Sequence, residues 1–206
     1  IITIEDPIEY LHRNKRCIIA QRDLGDDTKS FEAALIHALR HDPDVIVVGE
    51  MRDLATTSTA IRAAETGHLV VGTLHTTDAA QTVDRIIDIF TPSQQQQIRL
   101  QLSQVIEAVL SQTLLPRIAG GRVAAFEIMV ATSAVRNLIR EAKTFELPNI
   151  MRLSSKDGMQ TLDEALADLV RSGIVPQEEA MMKSSNPERL SKSLQFQHGA
   201  STLQRL

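Results

Sequence analysis

Short runs of consecutive apolar residues alternate with helix-period segments along the first half of the chain. The four residues Val45–Val48 are all β-branched. They are too few for a helix core and lack the alternation of a half-exposed strand, so they predict a strand buried on both faces. Runs at 1–4 and 17–20 predict further strands, the run at 68–75 predicts a second buried strand, and segments 31–40, 53–65 and 79–90 predict helices. This order indicates an α/β fold, with a mostly parallel sheet flanked by helices and right-handed crossovers.

The second half of the chain changes from this pattern to short helices. Thr91, Pro92 and Gln94 form a helix-start signature, which predicts a long helix to about residue 112. The apolar segments 114–118 and 123–130 flank a Gly-Gly pair and predict a hairpin that closes the main domain. Short helices are predicted at 133–142, 147–153, 162–171, 176–183 and 187–194. We therefore predict an α/β domain at 1–131, a small all-helical C-terminal subdomain at 132–196 and a disordered tail at 197–206.

Net charge, cysteine content and the length of the apolar stretches exclude or disfavour several classes of protein. The 206 residues carry a net charge of −4 and scattered basic side chains, which predicts no nucleic acid partner. The single cysteine, Cys17, excludes an internal disulfide and a zinc cluster of cysteines, and it fits a reducing, intracellular setting. No stretch of the sequence reaches the length of a membrane span. Because the chain opens inside a predicted strand, we expect it to be a piece of a longer protein.

Polar side chains follow three of the predicted strands. Since parallel strands end at the same sheet edge, where α/β folds bind ligands, these side chains are expected to converge. Phosphoryl transfer needs a metal-holding carboxylate, a group that orients water and a polar residue near the terminal phosphate. Glu50, Glu9 and His75 can fill these roles. Taken alone, Asp6-Pro7 would more often be a structural turn, and His75 would more often be a strand-end histidine bonded to the backbone. The converging residues are Glu5, Asp6 and Glu9 after the first strand, Glu50 after the second, and His75, Thr76, Thr77 and Asp78 after the third.

The phosphate-binding loop of such sites is missing from the sequence. No Gly-x-x-x-x-Gly-Lys-Ser/Thr motif occurs, and neither lysine nor serine follows Gly120-Gly121. The chain therefore has residues for a metal ion and a water molecule but no backbone nest for phosphates. Arg40, Arg52, Arg62 and Arg85 lie in or beside predicted helices, where most arginines are solvated. One or two of them are still candidates for reaching a neighbouring subunit's nucleotide.

Four segments resemble motifs of the type IV pilus retraction ATPases, a family within the type II/IV secretion ATPase superfamily. The resemblance covers about residues 1–196. The segment at 2–10 reads ITIEDPIEY and resembles the Asp box of that family. An atypical Walker B motif is matched at 41–53 by HDPDVIVVGEMRD, and the His box at 65–77 by ETGHLVVGTLHTT. The helical motif associated with retraction is matched at 134–141 by AVRNLIRE.

The resemblance implies a RecA-like core and assigns roles at the site. It implies ATP and Mg²⁺ as cofactors, with Glu9 as general base and Glu50 on the Mg²⁺ side, through a water molecule. His75 is expected to sense the nucleotide, and His68 is a weaker candidate. Glu5, Asp6 and Thr76 are the remaining residues expected to bind the cofactor.

The resemblance also implies partners and a location. It implies a homohexameric ring in which arginines of an adjacent subunit's N-terminal domain complete each site. An inner-membrane platform protein of the pilus and a paralogous retraction ATPase are further expected partners. The expected location is the cytoplasm, peripherally associated with the inner membrane at the pilus base.

Three alternatives stay open at this stage. A chain without the phosphate loop is also compatible with a non-catalytic ring partner or regulator, although the intact acidic and His boxes speak against this. The pilus-assembly and secretion members are similar in the boxes, but they usually carry a four-cysteine zinc element that this chain lacks. A DNA-translocating ATPase is disfavoured by the acidic net charge.

Overall fold

The computed structural model describes the backbone of residues 1–203 and the side chains of residues 1–195. The contacts of the chain divide it into two compact units. The first unit contains Ile1–His75, Val83–Ile106 and Ile139–Ala142. The second contains Thr76–Thr82, Glu107–Leu138 and the described residues from Lys143 onward.

The first unit is built on a four-stranded parallel sheet. Its strands are β1 (Ile2–Glu5), β2 (Ala20–Asp23), β3 (Val45–Val48) and β4 (Leu69–Gly72), in the spatial order β2-β1-β3-β4. Helix α1 (Phe31–Ala38) continues into a 3₁₀ turn at Leu39–His41, and helix α2 (Leu54–Glu65) leads from β3 to β4. Both helices begin where the sequence predicts, since Ser30 and Asp53 accept hydrogen bonds from first-turn amides. The predicted α/β class with a parallel sheet is confirmed.

The core of the first unit lies on one face of this sheet. Ile4, Ile46 and Val48 are fully buried there, against Leu35 of α1 and Ala63 of α2. Burial of such side chains contributes roughly 1.5 to 3 kcal/mol each. This packing fixes β1 and β3 side by side, so that their carboxyl ends share one edge.

The second unit contains an antiparallel hairpin and most of the C-terminal helices. Strands β5 (Ala108–Pro116) and β6 (Arg122–Val130) pair along their whole length. Leu115 and Ala125 of the hairpin share a core with Leu166, Val175 and Leu190. Across both units, the other α-helices of the described residues are α3 (Ala79–Asp88), α4 (Pro92–Val105), α5 (Ser133–Arg140), α6 (Leu147–Leu153), α7 (Leu162–Arg171), α8 (Gln177–Lys183) and α9 (Pro187–Leu203). None of the described helices combines the length and apolarity that a bilayer crossing requires.

The strand predicted at 17–20 is wrong. The second strand is Ala20–Asp23, in register with Ile2–Glu5, and Cys17 and Ile18 are exposed. The apolar residues before position 20 lie in a loop, where the Asn14 side chain accepts the Ile19 N–H at 2.8 Å. Pairing with β1 therefore selects a polar segment as the strand and leaves the apolar run outside it.

The prediction of complete burial is wrong for β4 and only half right for β3. Leu69 and Val71 are 52% and 46% exposed. Val45 and Val47 are half-buried, whereas Ile46 and Val48 are fully buried. The exposed members point away from the face that carries α1 and α2, because successive strand residues alternate between faces.

The helix predicted to reach residue 112 ends at Val105. Buried Val109, Ser111 and Leu115 alternate with exposed neighbours, which is the period of a strand, and β6 supplies the hydrogen-bonding partner. This hairpin is grouped with the C-terminal helices, and the boundaries 1–131 and 132–196 stay a prediction. Helix α9 extends beyond its predicted end at 194 to Leu203. The side chains from 196 onward and residues 204–206 lie outside the described residues, so the disorder predicted at 197–206 stays a prediction.

Candidate functional site

The segments that follow β1, β3 and β4 lie side by side at the carboxyl edge of the first unit's sheet. The Gly49 N–H donates to Ile4 O at 2.7 Å, and the Thr73 N–H donates to Val48 O at 3.3 Å. Met51 N–H in turn donates to Thr73 O at 3.1 Å. The backbones therefore stay paired past the ends of the strands, which brings Glu50 and His75 together.

Glu50 is the centre of this edge. His75 Nε2 lies 3.1 Å from Glu50 Oε1, and the Arg52 guanidinium forms an ion pair with Glu50 Oε2. The Glu50 side chain is 17% exposed, whereas those of Arg52 and His75 are 71% and 81% exposed. A shielded carboxylate thus lies beneath two groups that reach solvent.

The surroundings of Glu50 keep it ionised. The hydrogen bond from Arg52 lowers the pKa of Glu50 below its ordinary value of 4.5, and the charges of Arg52 and His75 act in the same direction against the opposing effect of burial. The same pair raises the pKa of Arg52. A carboxylate of this kind is a good ligand for a cation and a poor acceptor of a proton at neutral pH.

An acidic cavity opens beside Glu50. Its volume of about 230 Å³ is below the range of pockets that enclose a whole organic ligand, but it has room for an ion with its water molecules. Carboxylate oxygens are the ligands that Mg²⁺ prefers, and Mg²⁺ usually keeps several waters and takes further ligands from substrate phosphates. Among the described residues no group of three or more His, Cys, Asp or Glu side chains is placed to hold a metal ion by itself. The carboxylates present fit an Mg²⁺ ion that takes only some of its ligands from the protein and the rest from water and phosphate. The cavity is lined by Glu5, Asp6, Pro7, Glu9, Phe31, Gly49 and Glu50.

Gly49 allows β1 and β3 to approach each other at the cavity floor. A Cβ atom at this position would lie 2.9 Å from Ile4 O and 3.2 Å from Glu5 Cα. Both are backbone atoms, so neither can move aside at low cost. The close approach that places Glu50 next to the loop after β1 therefore requires glycine.

Two side chains of β2 hold the loop that carries Asp6 and Glu9. Asp23 Oδ2 accepts the Ile8 N–H at 2.9 Å, and Gln21 Nε2 donates to Tyr10 O at 2.9 Å. Gln21 also donates to Glu5 Oε1 at 2.9 Å. Neither residue is marked by the sequence pattern, because the apolar run lies three positions before the strand and a polar strand has no apolar signal of its own.

The structure brings most of the predicted site residues to one edge. Glu9 and Asp6 are exposed at the cavity, and Glu5 is half-buried with one oxygen engaged by Gln21. Arg52 belongs to the same edge, although its sequence context is typical of a solvated arginine beside a helix. Its position two residues after Glu50, before the predicted helix at 53–65, was the available signal.

His68 lies away from this edge, and Thr76 belongs to the other compact unit. His68 precedes β4 and so lies at the opposite end of that strand from His75, where its Nδ1 is 3.0 Å from Ala63 O. Thr76 belongs to the second unit, and its hydroxyl lies 2.7 Å from the hydroxyl of Thr82. The roles predicted for these two residues, and for the residues at the cavity, stay predictions.

Comparison with known proteins assigns the family. Residues 1–120 match the family model described as type II/IV secretion system protein. The chain belongs to this family. The type II/IV secretion family thus accounts for the segments that carry Glu9, Glu50 and His75, all of which fall inside the matched region.

Individual members of the secretion family are closely similar to the chain. A protein of Pseudomonas aeruginosa named type IV pilus retractation ATPase PilT is 52% identical over 188 residues, which are 91% of this chain and 55% of that protein. A twitching motility protein of Neisseria gonorrhoeae is 52% identical over 192 residues, which are 93% of this chain and 51% of that protein. The chain therefore spans about half the length of these curated relatives.

A solved structure of the same family matches the fold. The crystal structure titled as the pilus retraction motor PilT and bound ADP has a TM-score of 0.86 and 52% identity, and the match covers 93% of this chain and 54% of that one. The RecA-like fold implied by the resemblance is confirmed by this match, and so is the resemblance to pilus retraction ATPases.

Proposed function

We propose that this protein is the C-terminal part of an ATPase motor that couples ATP hydrolysis to type IV pilus retraction, and hence to twitching motility. The observation that carries the proposal is the contact between Glu50 and His75 beside the acidic cavity that Glu9 lines. The relatives at 52% identity, named for pilus retraction and twitching motility, support it.

Each residue of the edge has a separate role in this proposal. Glu50, ionised and shielded, holds Mg²⁺ through water, and the ion when bound neutralises charge on the phosphate oxygens. Glu9, exposed at the cavity, acts as the general base that orients the attacking water. His75, which follows the neighbouring strand, senses the nucleotide. Its contact with Glu50 connects it to the carboxylate that holds Mg²⁺.

The motor requires more than these 206 residues. We propose a homohexamer in which arginines of an adjacent subunit complete each site, with an inner-membrane platform protein and a paralogous retraction ATPase as partners. The proposed location is the cytoplasmic side of the inner membrane at the pilus base. The helical C-terminal part would transmit motion to these partners. Since no phosphate-binding motif occurs in the 206 residues, they are proposed to be inactive in ATP hydrolysis by themselves.

The first test replaces the two catalytic carboxylates in the full-length protein. Glu9→Gln and Glu50→Gln are each expected to abolish turnover while changing ATP affinity by less than about tenfold, because nucleotide binding would rest mainly on a phosphate loop. Steady-state hydrolysis and fluorescent-nucleotide titration measure the two quantities separately.

Glu32→Gln is the matched control for this test. Glu32 is an exposed glutamate in the first turn of α1 and does not line the cavity, so its replacement should leave turnover unchanged. Loss of ATP binding in the Glu9 or Glu50 variant would contradict the assignment, since it would identify that residue as one needed for folding or binding rather than for catalysis.

A further inference from the structure

Glu127 is a buried carboxylate of the second unit that the proposed chemistry does not use. It lies on β6 and is 9% exposed. Its Oε1 accepts the Ala79 N–H at 2.8 Å, and its Oε2 accepts the Leu162 N–H at 3.2 Å. One side chain therefore joins three segments that are 35 and 48 residues apart along the chain.

Both donors are first-residue amides of helices. Ala79 opens α3 and Leu162 opens α7. Such amides have no carbonyl partner within their own helix, and a negative charge next to them is also favoured by the helix dipole. Glu127 satisfies one of these amides with each of its two oxygens, which no neutral side chain of the same size can do.

Burial of this carboxylate is costly for the protein. Burial raises the pKa of Glu127, the charges of Asp78 and Asp163 add to this effect, and the two amide hydrogen bonds oppose it. An apolar residue would avoid that cost, as Met129 and Ala125 do on the same strand. The presence of a carboxylate at this costly place is explained if Glu127 is needed to hold the starts of α3 and α7 in position, and not only to stabilise the fold.

The segment Thr76–Thr82 is braced internally, so that a hold on Ala79 fixes the whole of it. The Thr82 N–H donates to Asp78 O at 3.0 Å, and the Gln81 N–H donates to Asp78 Oδ1 at 2.8 Å. The hydroxyls of Thr76 and Thr82 are 2.7 Å apart. This segment follows His75 directly in the chain.

We propose that Glu127 is a positioning residue that fastens the segment Thr76–Thr82 to β6 and to the start of α7. The inference rests on the proposed function, because the fastened segment follows the proposed nucleotide-sensing residue His75 directly in the chain. Glu127 acts through this segment and does not touch the nucleotide.

The first measurement is amide hydrogen exchange on the full-length protein. Glu127→Gln offers a single acceptor oxygen and turns an NH₂ group toward one of the two amides. Protection of residues 79–82 and 162–165 is expected to fall by about tenfold, with protection in β1 and β3 unchanged. Unchanged protection of residues 79–82 would overturn the proposal, and this outcome can be read whether or not the protein hydrolyses ATP.

The second measurement is a double-mutant cycle with His75→Ala. Glu127→Gln is expected to lower kcat for ATP by about tenfold with KM within about twofold, and to lower kcat no further in the His75→Ala background. Equal losses in both backgrounds would mean that Glu127 acts independently of His75, which overturns the proposal. No hydrolysis by the unchanged protein would refute the proposed function instead, and the exchange measurement would still decide whether Glu127 fastens the segment.

Glu164→Gln is the matched control. Glu164 is a glutamate in the first turn of α7 whose Oε2 accepts the Thr161 N–H at 2.9 Å. Glutamine keeps that capping bond, so both exchange and kcat should match the unchanged protein. Glu127→Asp, which keeps the charge but is too short to reach both amides, replaces Glu127→Gln if the latter does not fold. Failure of both variants to fold would make Glu127 a folding residue and overturn the proposal.

Discussion

At the scale of single residues, Glu50 shows how two neighbours set the state of a carboxylate. Arg52 lies two positions away in sequence and pairs with one oxygen, while His75 reaches the other oxygen from the next strand. The sequence predicted Glu50 and His75 as partners because both follow strands of one parallel sheet. Arg52 was harder to choose, because it stands directly before a predicted helix, where most arginines are solvated, and only its position two residues after Glu50 pointed to this pairing.

Arg52→Gln is expected to raise the pKa of Glu50 toward its ordinary value of 4.5, because the hydrogen bond from Arg52 is the largest cause of the lowered pKa. Between the ordinary pKa of 4.5 and the lower pKa of the folded protein, Glu50 binds a proton less readily in the folded protein than in the unfolded chain. The Glu50 carboxylate therefore stabilises the fold above pH 4.5 and loses that effect as pH falls through its folded-state pKa.

Two measurements check this prediction. Carbon-detected NMR titration should show the upward shift in the pKa of Glu50, and the acid limb of the ATPase pH profile should move to higher pH. Arg62→Gln serves as the control, because Arg62 bonds the Ser58 hydroxyl and not Glu50. A Glu50 titration that is the same in both variants would contradict the assigned cause.

At the scale of elements, the pattern of apolar residues predicted β1, β3, both crossover helices and the starts of the C-terminal helices close to their observed positions, but not the end of α9. It failed where tertiary pairing overrides local preference. β2 is the polar segment Ala20–Asp23, chosen by its register with β1, and β4 is only partly buried although its sequence is apolar. The candidate edge was therefore predictable from strand ends, whereas the residues of β2 that hold the Asp box loop were not.

Gly49→Ala is expected to destabilise the protein by about 1 to 3 kcal/mol, because the added Cβ meets backbone atoms of β1 that cannot rotate away. Urea unfolding of the purified protein, with the midpoint and slope fitted together, measures the change. Gly72→Ala is the control, since its Cβ would meet only the flexible Met51 side chain and should cost less. An equal or larger loss for Gly72→Ala would contradict the role given to Gly49.

At the scale of the whole molecule, the residues proposed to hold the metal ion, orient water and sense the nucleotide fall in a chain that spans about half the length of its relatives. Whole-molecule properties such as ring formation cannot be predicted from strand patterns, because they depend on surfaces that pair with other subunits. The four motifs indicated the family, and the family carries the expectation of a ring.

A protein limited to these 206 residues is expected to hydrolyse ATP at no measurable rate, whereas the full-length protein should do so in the presence of Mg²⁺. The reason is that the 206 residues contain no Gly-x-x-x-x-Gly-Lys-Ser/Thr motif to bind the β- and γ-phosphates. Phosphate release measured on both proteins at equal concentration checks this. Robust hydrolysis by the shorter protein, absent from its Glu50→Gln variant, would show that phosphate binding does not need that loop.

The exposed position of Cys17 has a practical consequence for following this protein in motion. It is the only thiol in the sequence, and it lies in the loop between the Asp box and β2. Within these 206 residues a maleimide dye would therefore attach at one defined place without any engineered cysteine. In a full-length protein whose remaining residues carry no accessible thiol, energy transfer between such dyes on the subunits of the proposed ring would follow the movement of these loops during nucleotide turnover.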